Sequence, residues 1–200
     1  MKATHGIATK VDYLEVPDAR IYYEVRGSGP VLLMMPGGPA DATVFERIAP
    51  RLAAWYTVVT YDPRGLSHSK LSAPPDDRRL FEIMADDASR LLAAVGSAPA
   101  FVFANSGGAR IAFELITRHP GQVRTLVAHE PPTGDLLPAS ERAQSDAAMQ
   151  DVHETYVTSG VGPAMQKFLA AIGESGGKVG DQPGAPPELS PEMQEALALM

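Results

Sequence analysis

Four short apolar runs, VLLMM (Val31–Met35), YTVVTY (56–61), AFVFA (100–104) and VRTLVAH (Val123–His129), are separated by segments whose apolar residues recur at helical spacing. A continuous run of β-formers, without polar alternation, suits a strand buried on both faces. Such strands alternating with amphipathic helices predict a parallel α/β sheet, because a parallel pair needs a long crossover that a helix supplies. Asp41 can cap one helix carrying Val44, Phe45, Ile48, Ala49 and Leu52 on one side. Leu80, Ile83, Met84, Ala88, Leu91, Leu92 and Val95 stripe a second that ends at Gly96, and Ala109, Ala112, Phe113 and Ile116 a third that stops at Pro120. Upstream, DYLEV and RIYYEVRG alternate like the strands of a hairpin.

With 200 residues, 44% of them hydrophobic, the chain can bury a substantial core. It has no cysteine, which excludes disulfides and thiolate metal sites and suits a reducing cytoplasm. The N-terminus lacks an apolar signal region, and no window approaches the roughly 18 apolar residues of a membrane span. A cytoplasmic protein without membrane partners is expected, with no metal or other cofactor. Charge is uneven: residues 1–132 carry 14 basic and 14 acidic side chains, residues 133–200 carry 3 and 10, so the net −7 lies in the last third. A domain boundary is therefore expected at Pro131-Pro132. The longest basic cluster, Arg78-Arg79, excludes a nucleic-acid surface.

The third strand runs into ANSGGAR. In an open parallel sheet, ligands bind beyond the carboxyl ends of the strands, and Ser106 lies at such an end, where a helix begins. Ala104, Gly107 and Gly108 are small enough for a tight turn that lifts the hydroxyl clear of the backbone. Helix-terminal N–H groups would favour negative charge developing there. The bland alternative is a turn that merely packs a helix on the sheet.

From Tyr13 to about Pro132 the chain resembles the α/β-hydrolase fold family. ANSGG matches the nucleophile elbow, small-x-Ser-x-small, with Ala104 at the first glycine. MMPGGPADATVF is similar to the oxyanion loop, with Pro36 where histidine is usual, and YDPRGLSHS resembles the Asp-x-Arg-Gly-x-Gly-x-Ser loop, with Ser67 at the second glycine. The resemblance implies a serine hydrolase in which Ser106 is the nucleophile and the Gly38 and Gly107 N–H groups form the oxyanion hole. Its substrate would be a small-molecule ester, lactone or amide, cleaved through an acyl-enzyme. A GSGP stretch at Gly27 does not make a dinucleotide fingerprint, since it lacks the third glycine and precedes a strand.

The resemblance also implies Ser, acid, His in chain order, with the histidine after the last strand. The five histidines are His5, His68, His119, His129 and His153, and none follows a predicted eighth strand. His119 reads as a helix C-terminal residue, His153 as part of an acidic helix, and His129 as packing; His68 lies in a loop near the crevice. Glu130 has two readings, as the triad acid drawn from the position after the sixth strand, or as a carboxylate tethering the hinge before Pro131-Pro132. Asp62 and Arg64 read as a structural ion pair or turn. Without a base in place, the chain is expected to have at most residual activity, and a non-catalytic ligand-binding relative is the alternative.

From Thr133 the segment is similar to the start of the family's helical cap. Ala143, Ala147, Val152 and Tyr156 predict one helix closed by Gly160, and Met165, Phe168, Leu169 and Ile172 a second that starts near Pro163. A solvated helical hairpin is the alternative. Ser190-Pro191-Glu192 opens a third predicted helix, with Met193, Ala196, Leu197 and Met200 on one face that is still running at the last residue. The expectation is a chain cut before the family's C-terminal strands, which would leave VRTLVAH as an apolar sheet edge.

Overall fold

A computed structural model describes residues 8–175. Among the described residues, seven strands form one mixed sheet: β1 (Thr9–Val16), β2 (Ala19–Arg26), β3 (Val31–Met35), β4 (Thr57–Tyr61), β5 (Lys70–Leu71), β6 (Ala100–Asn105) and β7 (Val123–His129). The order is β1-β2-β4-β3-β6-β7, with β5 paired to β2. β3 pairs in parallel with β4 and β6, and β6 with β7; β2 runs antiparallel to β1 and to β4. The hairpin turns at Pro17-Asp18, and Asp18 takes φ +61°, a left-handed conformation that aspartate tolerates. The two-residue β5 has too little sequence to carry a periodicity.

The pleat sends alternate residues to two cores. Leu33, Met35, Val59, Val102 and Ala104 meet the inward stripes of α2 (Leu80–Val95) and α3 (Gly107–Arg118), including Leu91, Ile111 and Leu115. On the other face Leu32, Met34 and Val58 meet Phe45, Ala49 and Ala53, with Phe101 and Phe103 packed alongside. The expected helix after Asp41 is broken into a 3-10 turn (Ala42–Phe45) and the four-residue α1 (Ala49–Leu52). Pro50 explains the break: it has no N–H to donate back to Glu46, and its ring crowds that carbonyl. Asp41 does cap, accepting from Thr43 N at 2.9 Å. Because the helix does not continue, Val44 and Ile48 are 54% and 47% exposed instead of buried. They line an apolar groove of about 580 Å3, together with Phe45, Phe103 and Val127. Among the described residues β7 pairs only with β6.

The chain divides into two compact units at Pro132/Thr133. In the second, α4 (Ala139–Ser159) ends at Gly160, whose φ of +83° lets the chain leave the helix and whose N–H bonds the Tyr156 carbonyl. α5 (Val161–Ser175) starts two residues before Pro163, which the first helical turn tolerates. Ala164 is its buried residue, Met165, Phe168 and Leu169 are half-buried, and Lys167 reaches Asp151 of α4 at 2.6 Å. α4 itself has no buried residue. No described helix is long and apolar enough to cross a membrane. His5 and the helix expected at residues 190–200 lie outside the described residues.

Candidate active site

β6 ends at Asn105 and α3 begins at Gly107, so Ser106 alone makes the turn. Its backbone stands at φ +47°, ψ −119°, sterically costly for a residue with a Cβ and characteristic of strain kept at functional positions. Neighbouring bonds hold it: Ser106 N donates to the His129 carbonyl at 2.9 Å, and the Ser106 carbonyl accepts from Ala109 N at 2.9 Å. The small residues of the motif each have a steric reason. Ala104 is wholly buried, and a methyl group on Gly108 would lie 2.4 Å from the Pro36 carbonyl oxygen and 2.7 Å from that of Met35. The helix can therefore start against the exit of β3 only without a side chain at Gly108.

That exit is the PGG loop. A methyl on Gly37 would meet Ser106 Cβ at 3.0 Å, and one on Gly107 would meet Gly38 N at 3.2 Å. Gly37, Gly38, Ser106 and Gly107 are thus brought together. No described residue hydrogen-bonds the Ser106 hydroxyl.

The loop after β4 supports this arrangement from below. Asp62, 1% exposed, accepts from Ala42 N at 3.0 Å, from His68 N at 3.0 Å and from His68 Nδ1 at 2.9 Å. It thereby ties the segment that follows the PGG loop to the end of β4. Ser67, at φ +46°, donates a short hydrogen bond to Asp41. Burial raises the Asp41 carboxyl, but the bonds from Ser67 and Thr43 outweigh it and hold it below its ordinary range. Arg64 is not the partner of Asp62. Its guanidinium is bidentate to Asp87 of α2, at 2.8 and 2.9 Å, with both side chains almost fully buried. Asp87 is a partner that sequence reasoning missed; one carboxylate within an apolar stripe was the available signal.

The described histidines have other partners. His68 stacks on Tyr22, with ring centres 4.6 Å apart, and bonds Asp62. His119 caps α3, and its Nε2 lies 2.8 Å from Asp86. His129 Nδ1 lies 2.9 Å from Asn105 Oδ1. His153 is on α4, in the second unit. Glu130 is largely exposed at φ +47°, its carboxylate 3.9 Å from His129 Nδ1.

A family model for the alpha/beta hydrolase fold matches residues 30–160. The chain is 46% identical over 143 residues to the uncharacterized hydrolase YraK of Bacillus subtilis, covering 72% of this chain and 52% of that one. It is 34% identical over 115 residues to a fluoroacetate dehalogenase of Burkholderia sp, covering 56% and 38%. An epoxide hydrolase variant of Vigna radiata superposes with a TM-score of 0.55 at 25% identity, covering 60% of this chain and 38% of that one. The chain thus spans between 38% and 52% of the length of these two curated relatives. With an elbow serine in a strained turn, a glycine loop against it and a sheet in this strand order, the match over residues 30–160 has one meaning: the chain belongs to the alpha/beta hydrolase fold family.

Proposed function

We propose that the chain carries the nucleophile and oxyanion hole of a serine hydrolase acting on small-molecule esters, lactones or amides. The observation that carries the reading is the Ser106 backbone at φ +47° between β6 and α3, with Gly37 and Gly38 against it. Ser106 Oγ attacks the carbonyl carbon, the carbonyl oxygen becomes an oxyanion that accepts from the Gly38 and Gly107 N–H groups, and as the carbonyl reforms the bond to the leaving group breaks and that group departs with the proton given up by the serine hydroxyl. Water then cleaves the acyl-serine ester. Each backbone donor contributes roughly 3 kcal/mol to such a step.

The nucleophile's identity separates this chain from the named activities of two of its relatives. A carboxylate that displaces halide or opens an epoxide forms an ester with the substrate carbon, and water cleaves that ester at its carbonyl. A serine doing the same would form an ether with no carbonyl to attack, and turnover would stop. Ser106 therefore fits acyl transfer.

The second reading, a ligand-binding relative with little turnover, is favoured by one observation: His68, His119 and His129 are bonded to Asp62, Asp86 and Asn105, not to the Ser106 hydroxyl. An unassisted serine is a weak nucleophile, so residual turnover is expected from residues 1–200. The second unit is proposed as the start of a substrate-covering cap. Incubation with p-nitrophenyl acetate followed by peptide mass spectrometry tests the reading: acetyl should accumulate on the peptide containing Ser106 and be lost in Ser106→Ala. Equal hydrolysis by both proteins, with no acyl-Ser106, would contradict it.

A further inference from the structure

The groove, the ion-pair networks and the buried hydroxyl of Tyr61 suggest no ligand, but one side-chain contact beside the nucleophile has no role in the chemistry above. Asn105 and His129 are the last residues of β6 and β7, and they are direct partners in the parallel register. Asn105 Oδ1 and His129 Nδ1 lie 2.9 Å apart. An amide oxygen can only accept, so His129 Nδ1 carries the proton. The other end of the same amide points toward the PGG loop: Asn105 Nδ2 is 3.3 Å from where a Gly37 Cβ would stand, a point also 3.0 Å from Ser106 Cβ. His129 meanwhile accepts from Ser106 N through its carbonyl, at 2.9 Å. The strained serine is therefore bracketed by two bonds to one residue of the neighbouring strand, one through the backbone and one through the side chain of the residue before it.

The geometry points to Asn105 and His129 as a paired positioning device for Ser106. The backbone bond alone fixes where the Ser106 nitrogen sits. Rotation of the peptide on its N-terminal side would still move the Cβ relative to Gly37, and the Asn105 amide, held at one end by His129 and packed at the other on Gly37, resists that rotation. Neither side chain touches the reacting atoms. This inference rests on the serine-hydrolase reading, because what it positions is the nucleophile.

The test is the second-order rate at which a fluorophosphonate modifies Ser106 in the 200-residue chain, followed by mass spectrometry. Asn105→Leu and His129→Phe each remove the contact and should each slow modification by about tenfold, while the double variant should be no slower than either, since both break the same bond. His129→Asn places an amide donor where Nδ1 was and should recover most of the rate. Thermal unfolding of each variant separates a lost fold from a lost position, and if Asn105→Leu fails to fold, the His129→Phe and His129→Asn pair still decides. Rates that are unchanged, or losses that multiply in the double variant, would overturn the device while leaving the serine assignment intact. On prolonged incubation, modification of other serines of the unsubstituted chain with none at Ser106 would overturn both.

Discussion

The Pro36 carbonyl oxygen stands 2.4 Å from where Gly108 would carry a methyl group. Both contacting groups, this oxygen and that of Met35 at 2.7 Å, belong to the backbone of a buried strand exit and cannot swing aside. Gly108→Ala should therefore cost about 2 kcal/mol or more of stability, at the upper part of the overpacking range. Gly121→Ala, with nothing within 4 Å of the added group, is the control that should stay near the wild-type denaturation midpoint.

The two glycines show how much of the molecule the sequence made legible. The strand order of types, the hairpin, both helices of the main core and the elbow at Ser106 followed from period and from residue size, because burial on two faces and a tight turn leave few alternatives. The helix after Asp41 did not follow, because its apolar stripe outvoted Pro50, and in the fold the proline won. The partners of Arg64 and His129 were also hidden. Asp87 is 23 positions from Arg64 and Asn105 is 24 from His129; a helix packed against a loop joins the first pair, and the parallel register of β6 and β7 joins the second. Pairings made by tertiary contact leave little local pattern, here only the one carboxylate at Asp87 within an apolar stripe.

Arg64 and Asp87 make the most deeply buried ion pair described, with side chains 2% and 3% exposed. Removing Arg64 should leave the buried Asp87 carboxylate without its bidentate partner, with only Arg90 3.8 Å away to offset it. Arg64→Met should destabilise by about 3–5 kcal/mol, and the double variant Arg64→Met/Asp87→Leu by distinctly less. Urea denaturation of the three proteins measures the difference.

Asp86 predicts an acid-sensitive contribution to stability. Hydrogen bonds from Arg118, opposed by partial burial and assisted by His119, hold its carboxyl below the ordinary aspartate value. A depressed folded-state pKa means the contribution is complete above the unfolded value of about 3.9 and is lost as pH falls through the folded value. Asp86→Asn should lower the unfolding midpoint at pH 6 and flatten its dependence on pH below 4. Parallel curves for the two proteins would show that the network linking α2 to α3 carries no such term.

Gly38→Pro removes the N–H of the nitrogen that stands 3.2 Å from where Gly107 would carry a Cβ. If that donor serves the oxyanion, fluorophosphonate modification of Ser106 should slow by about two orders of magnitude in the folded variant. An unchanged rate would assign the hole to other donors.

The most direct measurement is the site and number of adducts formed when the 200-residue chain is treated with a fluorophosphonate and digested for mass spectrometry. The strained elbow and the two backbone donors proposed for it predict that Ser106 is the first serine modified, with one adduct per chain and none in Ser106→Ala. Modification spread over several serines, or an adduct that persists in Ser106→Ala, would contradict the assignment of Ser106 as the nucleophile.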